Sequence, residues 1–309
     1  MRQQLLNASV AGLLVAALAS TLALAQPRVE PRKPLSPVTE EMLRNPPAAD
    51  WLMWRRTYDA WGYSPLDRIN KTNVKNLRVA WTWALTTGAT EITPIVHDGV
   101  LFIYNYADKV QALNAANGDL LWEYKRDLPA PLVAEGGNPL AKRSMAIIGD
   151  TLIVATSDAH LIALNVNTGK VTWDRAVADW TKGWRYTGGP LVAGGKIVQG
   201  MTGCGNAQPG GCFITGHDPQ TGAEAWRFYS IARPGEPGGD TWNGIPLEKR
   251  HGASVWNSGS YDVDTKTLFF GVGQPYPWMA EMNGLMPKKD GMKNNALYAD
   301  STLALDPAT

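Results

Sequence analysis

The chain has 309 residues, with 29 Lys+Arg against 28 Asp+Glu and a formal net charge of +1. That balance argues against a basic nucleic-acid-binding face as the main function, and a 44% apolar share argues against a disordered chain. Two Cys and four scattered His cannot build a zinc site of the four-cysteine type or of the two-cysteine, two-histidine type.

In chain order, Met1-Arg2, the small and apolar run Leu5–Leu24 and the A-x-A site at Ala23–Ala25 read as a signal peptide over residues 1–25. The competing reading is an uncleaved membrane anchor. The A-x-A site and the Pro that follows favour removal. The mature chain is then exported, periplasmic and not membrane-spanning, and its Cys204 and Cys212 can be oxidised there. Residues 26–50 hold Pro27, Pro31, Pro34, Pro37, Pro46 and Pro47 and read as an irregular leader that wraps the surface or stays mobile. Structured sequence is expected from Trp51.

From there the sequence repeats itself. Ala112–Trp122 is ALNAANGDLLW, Ala163–Trp173 is ALNVNTGKVTW, Gly216–Trp226 is GHDPQTGAEAW, and Ala304–Thr309 is ALDPAT. The shared frame is a small residue, Asn or Asp, an Asn/Thr-Gly turn and a final Trp, with a period of about 50 residues. Trp81 ends an earlier apolar stretch and is a candidate for the same series. Upstream of each frame lies a turn, at Asp98-Gly99, Gly149-Asp150 and Gly194-Gly195. Each turn precedes a short β-branched strand, at Val100–Ile103, Leu152–Val154 and Lys196–Val198. No stretch after residue 25 has a convincing helical period. The expected fold is all-β, a β-propeller of four-stranded antiparallel blades, with most Trp packed between sheets. ALDPAT breaks off where the frame demands Gly and Trp, so residues 51–309 read as a partial propeller of about four blades whose C-terminal half is missing. Residues 227–303 form one unit with a long insertion that includes the Pro/Gly-rich Ala232–Pro246.

Several stretches resemble the quinoprotein alcohol dehydrogenases, periplasmic eight-bladed propellers that use pyrroloquinoline quinone (PQQ) with Ca²⁺. They are WLMWRRTYDAWGYSPL (Trp51–Leu66), TEITPIV (Thr90–Val96), GGPLV (Gly188–Val192), ARPGEPGGDTW (Ala232–Trp242) and HGASVWNSGSYD (His251–Asp262), the last leading to FGVGQPYPW (Phe270–Trp278). Their order and spacing carry the resemblance.

The resemblance implies a cofactor pocket on the propeller axis. Glu91 matches a Glu that hydrogen-bonds PQQ. Arg143 matches an Arg that pairs with a PQQ carboxylate, which suits a guanidinium facing a triacid. Thr187 and Thr202 match hydroxyl donors to PQQ oxygens. Ser254 and Trp256 match a Ser/Thr and the Trp on which the cofactor ring stacks. The chain also departs from the family pattern. The adjacent Cys pair that forms a disulfide ring over PQQ falls at Gly137 and Asn138. The family's Ca²⁺ site uses a Glu and an Asn. The Asn position is Gln274, which keeps an amide oxygen. The Glu position is Gly205, inside CGNAQPGGC (Cys204–Cys212), where Asn206 or Gln208 offers an amide oxygen but the site loses a charge. Cys204 and Cys212 bracket this loop and read as a disulfide that fixes it, against two free thiols packed as small apolar residues.

The implied activity is oxidation of an alcohol. A base takes the hydroxyl proton, hydride passes to PQQ, and Ca²⁺ polarises the accepting carbonyl. Electrons leave to cytochrome c or a membrane quinone. The catalytic Asp of the family is expected beyond residue 309, so the fragment alone is expected to be inactive. No C-x-x-C-H haem motif occurs within the 309 residues. The alternative is a cofactor-free propeller acting as a scaffold in outer-membrane protein assembly. A third reading is a fragment that never folds.

Overall fold

The computed structural model describes residues 33–135, 140–205, 209–276 and 295–308. Contacts divide the chain into Met1–Pro34 and Leu35–Thr309, and the second unit holds every element below. The signal-peptide reading, and positions Gly137, Asn138, Asn206, Gln208 and Trp278, lie outside the described residues.

Three four-stranded antiparallel sheets follow one another in simple up-and-down order. The first holds β1 (Ile95–His97), β2 (Val100–Asn105), β3 (Lys109–Asn114) and β4 (Leu120–Lys125). The second holds β5 (Ala146–Ile148), β6 (Thr151–Ala155), β7 (His160–Asn165) and β8 (Val171–Ala176). The third holds β9 (Leu191–Ala193), β10 (Lys196–Gly200), β11 (Phe213–His217) and β12 (Glu224–Tyr229). Then come β13 (His251–Gly252), β14 (Ser260–Asp262), β15 (Thr267–Gly271), β16 (Pro275–Tyr276) and β17 (Thr302–Leu305). Of these, β14, β15 and β17 form a three-stranded sheet, and β13 pairs with β16.

The hairpin turns show why the chain folds back where it does. Asp98 (φ 47°) and Gly99 (φ 73°) both take the left-handed conformation that a two-residue hairpin requires. The middle strands are buried on both faces while the outer strands β4 and β8 are mostly exposed. Sheets covered on both sides are stacked sheets, and that is why β6 and β7 read as nearly continuous apolar runs. The strands run slightly longer than their β-branched cores. β2, for instance, extends to Asn105.

The repeated Trp is the latch between neighbouring sheets. Trp81 Nε1 donates to Ala115 O (3.1 Å), Trp122 to Val166 O (2.8 Å), Trp173 to Pro219 O (3.2 Å) and Trp226 to Pro307 O (2.8 Å). Each acceptor directly follows the Asn or Asp of the next unit's frame. The Gly of that frame lies against the same ring. A Cβ on Gly118, Gly169 or Gly222 would come within 2.8, 2.5 or 2.6 Å of Trp81, Trp122 or Trp173. Trp81 therefore belongs to the series. The stretch before it is exposed and apolar, at Trp61, Tyr63, Ile69, Leu77 and Val79.

Residues 35–50 form a strap that runs along the sheets, and regular structure is present before Trp51, in helix α1 (Glu40–Arg44), capped by Thr39 Oγ1 accepting from Met42 N at 3.2 Å. Leu35, Val38 and Leu43 are buried. The segment bonds in turn to a hairpin of each four-stranded sheet and of the three-stranded sheet, through Ser36 to Asp98, Val38 to Gly149, Glu40 to Gly195 and Arg44 to Asp264. Buried His97 fastens its two ends. Its Nε2 donates to Ser36 O (2.7 Å) and its Nδ1 meets Asp50 Oδ2 (2.8 Å). A second helix, α2 (Ala130–Glu135), precedes β5. Helices of five and six residues are too short to print a 3.6-residue period. No helix among the described residues is long and apolar enough to cross a membrane.

Candidate functional site

One cavity of about 670 Å³ gathers most of the residues singled out above. Arg143, Thr187, Thr202, Cys204, Gly205, Ser254, Trp256 and Gln274 line it, together with Glu135, Arg185 and Tyr276. They come from equivalent places. Arg143 lies just before β5, Thr187 before β9, and Ser254 and Trp256 before β14, while Thr202 and Gln274 follow β10 and β15. The cavity thus sits where innermost strands begin and second strands end.

Side-chain alternation along the extended segment before β5 aims Arg143. Its neighbour Lys142 points the other way and is fully buried, with Nζ 2.8 Å from Asp108 Oδ1 and 2.8 Å from Tyr186 O. Burial pulls the Lys142 ammonium below its usual range, and Asp108 opposes that. Arg143 faces the cavity. Its Nη1 donates to Thr187 O (3.2 Å), its Nη2 lies 2.5 Å from Glu91 Oε2, and its guanidinium carbon sits 5.0 Å from the Trp256 ring centroid. Glu91 does not line the cavity. It reaches the site only through Arg143.

Close backbone approach sets Trp256. A Cβ on Gly188 would lie 2.9 Å from Trp256 O, and one on Gly200 would lie 2.6 Å from Val255 O. Val255 N donates to Met201 O (3.0 Å) and Ser258 Oγ to Gly189 O (2.8 Å), tying this segment to the third sheet. The Trp256 residue is 45% exposed although it lines a cavity, so its ring is open to a flat ligand.

Cys204 and Cys212 form a disulfide, as expected. Both are buried, and Ser254 Oγ lies 3.4 Å from Cys204 Sγ. Gly252 N donates to Cys204 O (2.8 Å), which joins the loop to β13. Thr202 Oγ1 donates to Arg185 O (2.9 Å). Gln274 Nε2 donates to Tyr276 OH (3.0 Å), which leaves the amide oxygen without a donor among the described residues.

Sequence reasoning missed Arg185 and Glu135. Arg185 stands two residues before Thr187, hence on the same side of an extended segment, and its Nη2 pairs with Glu135. Among the described residues Glu135 is the cavity's single carboxylate. Among the described residues a divalent cation would find there one amide oxygen, one engaged carboxylate and hydroxyl groups, which do not by themselves make a calcium shell. The one cluster of three potential metal-binding side chains among the described residues, Asp50, His97 and Asp98, ties residues 35–50 to the first sheet through His97 Nδ1 and Asp50 Oδ2 and through Asp98 N donating to Asp50 Oδ1. A flat polyanion fits better. The lining offers an open indole, two guanidiniums and hydroxyl groups.

The sequence is similar to proteins that share this architecture. A quinohemoprotein alcohol dehydrogenase of Pseudomonas putida is 34% identical over 273 residues, covering 84% of this chain and 38% of its own length. The solved structure of another quinohemoprotein alcohol dehydrogenase from Pseudomonas putida matches with TM-score 0.75 and 27% identity, over 90% of this chain and 42% of that one. The enzyme from Comamonas testosteroni matches with TM-score 0.72 and 28% identity, over 84% and 40%. The chain spans about two-fifths of the length of these relatives. The family model described as the PQQ glucose/ethanol/alcohol dehydrogenase β-propeller domain matches residues 51–309. The stacked sheets are therefore propeller blades, and the chain belongs to the PQQ glucose/ethanol/alcohol dehydrogenase family.

Proposed function

We propose that this chain supplies the PQQ-binding part of a periplasmic quinoprotein dehydrogenase that oxidises an alcohol. The observation that carries the reading is the meeting of Arg143, Thr187, Thr202, Ser254 and Trp256, chosen from separate stretches of sequence, around one cavity. When bound, PQQ supplies the hydride acceptor for alcohol oxidation. Trp256 would stack against its ring, and Arg143, released from Glu91, would take a carboxylate. Thr187 would donate a hydroxyl hydrogen bond, and Thr202, whose hydroxyl already donates to Arg185 O, would hold Arg185 in place. Ser254 and the Cys204–Cys212 disulfide, in contact with each other, would complete the lining.

Among the described lining residues no carboxylate is free to take an alcohol proton, because Glu135 is engaged by Arg185. The chain's own contribution is to bind and orient the cofactor. Electron transfer to a cytochrome c or a membrane quinone is part of the same proposal, in keeping with relatives named quinohemoprotein and quinone-type alcohol dehydrogenases. A Gln274 role at a metal finds no supporting ligand set among the described residues. The scaffold reading is set aside, because it gives no reason for an open indole and two guanidiniums in one cavity.

The test is a titration of the 309-residue chain with PQQ, followed by Trp fluorescence. Saturable quenching is expected, weakened strongly in Trp256→Ala and Arg143→Ala. A folded chain that PQQ does not quench would overturn the reading.

A further inference from the structure

The cavity holds a second guanidinium that no resemblance assigns. Arg185 is set by its backbone, which exchanges hydrogen bonds with Thr202 in both directions (3.2 and 3.0 Å) and accepts a third from Thr202 Oγ1. Its side chain is only 12% exposed, whereas that of its partner Glu135 is 47% exposed. The other pair has the same asymmetry. The Arg143 side chain is 17% exposed and that of Glu91 is 43% exposed. In both pairs the cation is the more buried partner and the anion the more exposed one. An exposed carboxylate can rotate into water at little cost, while the guanidinium stays where its backbone has put it. Two such cations, each held by a displaceable carboxylate, suit a ligand with two or more carboxylates of its own.

Resting on the cofactor reading above, we infer that Arg185 is a second carboxylate-binding residue for PQQ, and that Glu135 competes with the cofactor for it. The two residues then have opposite effects on binding. PQQ titrations in EDTA are expected to show Arg185→Gln weakened on the order of tenfold or more, the usual worth of a lost charge-assisted bond. Glu135→Gln is expected to bind severalfold more tightly than the native chain, and the double variant to show no tightening. Thermal melts and near-ultraviolet circular dichroism of each unliganded variant report folding separately. Native-like binding by Arg185→Gln overturns the inference. So does weakening in Glu135→Gln, since that is the signature of a pair that only braces the fold. Binding that needs added CaCl₂ and ignores Arg185 overturns it as well. If the native chain binds, Trp256→Ala does not and Arg185→Gln is unaffected, this inference alone fails. If the folded native chain binds in neither EDTA nor CaCl₂, the cofactor reading fails with it.

Discussion

Replacing Gly169 with Ala tests whether the Trp latch depends on glycine for space as well as for backbone freedom. Gly169 has φ 68°, and a Cβ there would lie 2.5 Å from Trp122 Cε3 and 2.9 Å from Cδ2. The left-handed conformation costs a residue with a Cβ roughly 1–2 kcal/mol. Forcing a methyl group into a packed ring adds about 1–3 kcal/mol. Gly99 separates the two effects. Its φ is 73°, and its Cβ would meet nothing within 4 Å. Gly99→Ala should therefore cost only the conformational part, about 1–2 kcal/mol, and Gly169→Ala about 2–5 kcal/mol. Removing the ring supplies the internal control. In a Trp122→Ala background, Gly169→Ala should fall to the cost of Gly99→Ala, a coupling of about 1–3 kcal/mol between residues in contact. Urea unfolding of the 309-residue chain, followed by far-ultraviolet circular dichroism, reads all four variants without relying on Trp fluorescence. Equal costs at Gly169 and Gly99 within about 0.5 kcal/mol, or a Gly169 cost unchanged by Trp122→Ala, would refute the latch.

Lys142→Met removes one side of a fully buried ion pair and should destabilise the chain by about 3 kcal/mol, the low end for such a loss. The low end applies because Asp108 keeps Tyr104 OH at 2.7 Å and Ser157 N at 2.6 Å. A urea-derived loss below about 1 kcal/mol would show that Lys142 carries little. Replacing Cys204 and Cys212 together by Ser should cost roughly 2–3 kcal/mol, as expected for a short closed loop. It should also weaken PQQ quenching by loosening the wall beside Ser254, and unchanged quenching would separate the disulfide from the site. Burial acts to raise the Asp174 carboxyl, but hydrogen bonds from Arg126 and His160 outweigh it and hold the group below its ordinary 3.8. A lowered folded value means that its stabilisation is present above 3.8 and is lost as pH falls through the folded value. The difference in urea midpoint between native and Asp174→Asn should therefore shrink between about pH 5 and about pH 3. A difference that stays constant would count against this assignment.

The blades were legible because their signal is physical and repeats. Each Trp needs a carbonyl and a bare Gly in the next unit, so the spacing of the frame reports the stacking directly. Arg143, Thr187 and Trp256 were legible through resemblance, and their meeting around one cavity is a separate observation. The strap over residues 35–50 was legible only as an irregular leader, without its helix or its partners. Its helix spans five residues, and its bonds to Asp98, Gly149, Gly195 and Asp264 join parts far apart in sequence. The burial of Lys142 beside Arg143 carries no local signal, since its partner Asp108 lies 34 positions earlier in the chain. Arg185 and Glu135 carry no motif, because their pairing is a property of the folded loop ends.

The same geometry explains why a scaffold of repeats yields one asymmetric site. Each blade offers the segment before its innermost strand, and in four blades that segment carries a different residue: Glu91, Arg143, Thr187 and Trp256. The repeat fixes where those side chains start and leaves their chemistry open, because the segments lie outside the Trp–Gly frame that holds the blades together. Close approach then converts position into contact. Gly188 and Gly200 let the Trp256 segment lie against the third blade, and Ser258 and Val255 bond it there. A larger residue at either glycine would move the indole without touching the cavity. The site is therefore held by residues that never meet a ligand. Its charge is set separately, by Arg143 and Arg185 and by their more exposed partners Glu91 and Glu135, so charge at the cavity can change while the latch stays intact.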